Sequence, residues 1–119
     1  MQPVHCIAVV ESDELVRQLI ARWLGDEGHT VVLVGAAPTK TAPDTDLMIM
    51  SVSSRRNAAA RIRSIQQANE TPLLVISAAF GRHQDRAELA RQLGVRGVLA
   101  KPFTREELLV AIQEALGRD

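Results

Sequence analysis

The sequence predicts a single α/β domain built on a parallel β-sheet. Three observations carry this: five short apolar runs, amphipathic segments between them, and a length of 119 residues. The runs are Val4–Val10, Thr30–Val34, Leu47–Met50, Leu73–Ile76 and Val95–Ala100. Three are nearly continuous in Val, Ile, Leu and Met, as strands buried on both faces require. Alternation of strands with helical segments points to helices packed over a parallel sheet. A chain of this length forms one domain, residues 1–119, and buries roughly two-thirds of its unfolded surface without staples.

Each helical segment carries its own signals. After the first strand, Leu15, Val16, Leu19, Ile20, Trp23 and Leu24 form one apolar stripe. Ser12 is the expected N-cap, with Asp13 and Glu14 in the first turn, and Gly28 is placed to end the segment. Arg55–Ala68 and Arg82–Leu93 read as alanine-rich helices, the second closed by Gly94. The last helix is the clearest: Thr104 and Glu107 make a capping box, and Leu108, Leu109, Ile112, Ala115 and Leu116 line one side. One connection does not fit. Between the second and third strands, Gly35–Asp46 contains Pro38 and Pro43, which leave room for one turn at most or an extended strap.

Composition narrows the function classes. Apolar residues at 46% and charged residues at 24% exclude a disordered chain, and no uncharged apolar run approaches the ~20 residues of a membrane span. The acids that follow MQPVHCIAVV exclude a secretory signal. A single cysteine excludes an internal disulfide framework and fits a reducing cytoplasm. Fourteen basic and fourteen acidic side chains cancel, so nucleic acid is not the expected partner. The basic set is uneven in place: from Leu47 to Asn69 there are four arginines (Arg55, Arg56, Arg61, Arg63) and no acid. This is a solvated helix face or a local docking patch for an acidic partner. His5, His29 and His83 are far apart in sequence and lack metal-ligand spacing. Cys6 and Trp23 read as packing residues, and no phosphate-loop, dinucleotide or nucleophile-elbow motif occurs.

Right-handed crossovers place the carboxyl ends of all strands along one edge, where ligands and chemistry gather. The first strand delivers Glu11-Ser12-Asp13 there, the third Ser51, the fourth Ser77 and the fifth Lys101-Pro102-Phe103. That set resembles the receiver domain of two-component response regulators over essentially the whole chain. The most specific pieces are G-V-R-G-V-L-A-K-P-F at Gly94–Phe103, LLVIS at Leu73–Ser77 and the acid after strand one. The resemblance implies a flavodoxin-like, doubly wound five-stranded sheet in the order 2-1-3-4-5, here with its second helix shortened or missing. It also implies a cis peptide at Lys101-Pro102. In such domains an aspartate after strand three accepts a phosphoryl group, acids after strand one hold Mg²⁺ with it, a Thr or Ser and a Lys contact the phosphoryl group, and an aromatic in strand five swings inward.

This sequence departs from that pattern. Ser51 stands at the acceptor position, Ser12 replaces the second acid while Asp13 lies one step further on, and Val98 replaces the aromatic; Glu11, Ser77 and Lys101 remain. Asp46 and Asp44 are alternative acceptors, but both precede the apolar run instead of ending it. A serine without an adjacent base is a poor nucleophile, and Mg²⁺ usually needs one or two carboxylates, of which only Glu11 is firmly placed. Glu11 and Lys101 are therefore expected to pair with each other, with no cofactor and at most weak Mg²⁺ binding.

The expectation is a stand-alone, cytoplasmic, degenerate receiver-like domain that is no enzyme and acts by binding a protein, such as a histidine kinase. Three surfaces suggest themselves: the first helix; the face of the Arg82–Leu93 helix, fifth strand and last helix; and the strand-two flank (Val31, Val32, Leu33, Val34) uncovered by the missing helix. Either of the last two would also suit a homodimer. The rival readings are a working phosphoryl acceptor with a non-standard acceptor residue and a small-anion or nucleotide sensor at the strand-end cleft.

Overall fold

The computed structural model describes residues 4–34, 44–68, 70–81 and 85–117. The chain forms β1 (Cys6–Val10), α1 (Glu14–Asp26), β2 (Thr30–Val34), β3 (Leu47–Ser51), α2 (Arg55–Ala68), β4 (Leu73–Ser77), α3 (Arg86–Leu93), β5 (Gly97–Ala100) and α4 (Arg105–Leu116). All neighbouring strands are parallel, in the order β2-β1-β3-β4-β5. This is the flavodoxin-like order that the resemblance implies. Of the expected strap Gly35–Asp46, residues 35–43 lie outside the described residues, as do 82–84, including His83.

The unbroken apolar runs are explained by burial on both faces of the sheet. Ala8, Val10, Met48, Met50, Val75 and Val98 pack on one face with Ala58 and Ile62 of α2 and Leu89 and Ala90 of α3. Their alternate neighbours Ile7, Val9, Leu47, Ile49, Leu74 and Ile76 pack on the other with Ile20 and Leu24 of α1 and Leu108 and Ile112 of α4. The edge strand β2 differs: Val32 and Leu33 are 43% and 50% exposed, while Val31 and Val34 are half-buried.

Several local expectations are corrected. Asp13, not Ser12, caps α1, its carboxylate accepting from the backbone N–H of Val16 at 3.1 Å. Either side chain can make that bond, and the helix begins one residue later than the serine requires. Leu15 is 67% exposed and falls off the apolar stripe, which turns inward at Val16, Ile20 and Leu24. Helix α1 ends at Asp26, and Gly28 serves the following turn with φ at +87°. Strand β5 starts at Gly97, because Val95 is held in the turn after α3 by the Ala90 carbonyl. Gly94 closes α3 in the left-handed conformation with φ at +73°, and the Thr104–Glu107 capping box opens α4. Lys101-Pro102 is cis.

Candidate functional site at the strand ends

The parallel register brings the ends of β1, β3 and β5 together. Glu11 follows β1 directly and its side chain is 2% exposed; Lys101 follows β5 with 20% exposure. The Lys101 ammonium lies 2.6 Å from Glu11 Oε1 and donates to Ser51 Oγ at 2.9 Å. No donor lies along a hydrogen-bond direction of Glu11 Oε1, so that contact is mainly ionic. Glu11 Oε2 accepts the backbone N–H of Asp13 at 3.2 Å. One cation, one carboxylate and one hydroxyl thus meet in a largely buried corner, where an unpaired charge would be costly.

The other predicted residues are placed differently. Ser77 is fully buried, and its hydroxyl accepts the Ala79 N–H at 3.0 Å while its carbonyl accepts the Lys101 N–H at 3.0 Å. It anchors the β4 and β5 ends to each other. Ser12 is exposed, and Asp13 is occupied as a helix cap. Val98 is buried opposite Val75, so β5 itself carries no aromatic at that position. Asp46 is far from the ammonium in function: its carboxylate accepts the Cys6 N–H at 2.8 Å at the opposite end of β1.

The donor set does not suit Mg²⁺. Its one buried carboxylate is held by Lys101 and by the Asp13 amide, the next acid caps α1, and the third position is a hydroxyl. Among the described residues no group of three or more His, Cys, Asp or Glu is arranged to hold a metal.

Two features escaped the sequence. Arg61 of α2 reaches back to the end of β3 and donates to the Ser51 carbonyl at 3.0 Å, so one arginine of the basic run supports the site. At the other end of the sheet, His5 and His29 meet with ring centroids 5.8 Å apart, and His29 Nδ1 accepts the His5 backbone N–H at 3.1 Å. The pairing of β1 with β2 brings these distant histidines together, as sequence spacing alone could not indicate. Burial, then the neighbouring His5, lowers the pKa of His29 below its usual 6.5, and Glu27 opposes the shift. A cavity of about 340 Å³ opens beside them, lined also by Leu109, Ile112 and Leu116.

No protein-family model matches the chain. Over 118 residues it is 30% identical to the transcriptional regulatory protein PdtaR of Mycobacterium tuberculosis, a match covering 94% of this chain and 57% of that protein. Over 120 residues it is 25% identical to the regulatory protein VirG of Agrobacterium fabrum, covering 97% and 47%. The chain spans about half the length of the curated relatives it matches. A solved response regulator receiver domain protein from Clostridium thermocellum superposes with a TM-score of 0.73 at 22% identity, covering 97% of this chain and 96% of that one. The fold is therefore the receiver fold.

Proposed function

We propose that this response-regulator receiver-like domain signals by binding another protein and without accepting a phosphoryl group. The observation that carries the reading is the closed contact of Lys101 with both Glu11 and Ser51. In a phosphoryl-accepting site the lysine and a metal absorb charge developing on the transferred group. Here the lysine charge is already balanced, and Ser51 Oγ accepts from an ammonium that cannot serve it as a base. Val98 supports the same reading, since no aromatic stands at the strand-five position to couple an inward swing to phosphorylation.

The domain is thus read as a degenerate receiver with no enzymatic role and no Mg²⁺ requirement, acting in the cytoplasm. Its partner is a signalling protein such as a histidine kinase. The exposed Val32 and Leu33 of β2 support a contact at that flank, with a second copy or with another protein. A working phosphoryl acceptor and a small-anion sensor are less well supported, because both need a lysine free to meet an anion. Incubation with acetyl phosphate, or with beryllofluoride and Mg²⁺, tests this. The expected outcome is an unchanged intact mass and unchanged amide spectra. A stoichiometric adduct, or a saturable spectral shift centred on Ser51 and Lys101, would overturn it.

A further inference from the structure

We propose that the outer face of α2 is a docking surface for an acidic segment of a protein partner. This deepens the reading above by naming the partner's chemistry, and rests on it only in taking the domain to work through another protein.

Ala58, Ile62 and Ile65 are buried, which fixes the opposite side of α2 as its outer face. Arg56 and Arg63 are exposed there, seven residues apart, with the small exposed Ala59 and Ala60 between them. That spacing is two helical turns, so both guanidinium groups rise from one side, about 10 Å apart along the axis. Neither forms an ion pair among the described residues. Nor does the helix itself offset them. Its first turn contains no acid, and Arg56 sits near the positive end of the helix dipole, where a cation is unfavourable. Arg61 is held within the domain by the Ser51 carbonyl, but no acid among the described residues meets Arg56 or Arg63.

Charge complementarity selects the occupant. Most described carboxylates of this chain are already engaged. Glu11 holds Lys101, Glu14 meets Arg17, Glu88 meets Arg91, and Asp26 and Glu27 share Arg105. Asp13, Asp85 and Glu107 cap helices, and Asp46 holds the Cys6 amide. A second copy therefore offers this face little. Nucleic acid fits poorly too: the formal net charge is zero and α2 has no aromatic residue on which a base could stack. An acidic polypeptide, whose carboxylates suit the planar guanidinium fork, fits best.

The test titrates the domain with a fluorescein-labelled oligo-glutamate peptide, followed by anisotropy and by amide chemical shifts. The expected result is saturable binding that weakens with salt, with shifts concentrated on residues 56–67. The Arg56→Glu/Arg63→Glu variant should bind about tenfold more weakly or worse, with an unchanged unfolding transition. The control Arg22→Glu, exposed on α1, should bind normally. Absence of saturable binding, equal weakening by Arg22→Glu, or tighter binding of a single-stranded oligonucleotide of matched charge would overturn the proposal. The acetyl phosphate experiment does not involve this face, so each reading can fail without the other.

Discussion

Lys101 and the arginines of α2 show two opposite treatments of positive charge within one small domain. The lysine is four-fifths buried and met by a carboxylate and a hydroxyl contributed by two other strands. Arg56 and Arg63 stand in solvent with no intramolecular acid among the described residues, on a helix whose dipole disfavours the first of them. A charge that the fold neutralises is part of the architecture. A charge left open against a local cost points outward, to something the domain meets. The difference therefore separates where this domain is closed from where it is available.

The largest expected effect breaks the closed side. Lys101→Met strands the buried Glu11 carboxylate and should cost about 3 kcal/mol in urea denaturation. Glu11→Gln should cost less, because the lysine, one-fifth exposed, can turn toward water. The double variant should lose clearly less than the sum of the two; additive losses would mean that the pair is not coupled. Next, Ser54→Ala removes the hydroxyl that accepts the Asn57 N–H at the start of α2. About 1 kcal/mol is expected from thermal unfolding, with the peptide affinity of a still-folded domain preserved.

A smaller effect concerns a charge that the fold excludes. His29 is held below its ordinary pKa of 6.5 by burial and by His5, with Glu27, itself paired to Arg105, acting the other way. The unfolded chain binds the proton more readily, so stability is complete above about pH 6.5 and is lost as pH falls through and below that value. His29→Asn keeps an acceptor at the Nδ1 position for the His5 amide and should flatten this slope; an unchanged urea-midpoint profile from pH 7.5 to 5 would count against the assignment. The smallest effect sharpens the open side. Arg56→Glu should leave stability unchanged or raise it by a few tenths of a kcal/mol, because it replaces a cation by an anion near the helix N-terminus. A clear loss of stability would show that Arg56 belongs to the architecture after all.

The strands were readable in the sequence because burial on both faces forces continuous apolar runs, and β2 spans Thr30–Val34 as its pattern predicts. The contact of Glu11 with Lys101 was readable because both follow apolar runs whose ends must share an edge. What failed depended on single-residue phase or on pairing. Ser12 and Asp13 are both good caps, and only the start of the helix decides between them. Leu15 carries the right chemistry on the wrong side of α1. The reach of Arg61 to the Ser51 carbonyl was hidden inside a basic run that composition reads as uniform. The meeting of His5 with His29 follows from strand register, which no local pattern encodes.

The stitch among Glu11, Ser51 and Lys101 joins β1, β3 and β5, passing over β4, and its Ser51–Lys101 bond closes a sequence separation of 50 residues. So distant a contact bears a loop-closure cost and is expected to form after the intervening strands have docked. It acts as a late clasp on the native state: loosening it should quicken escape from that state while leaving the speed of renaturation nearly untouched.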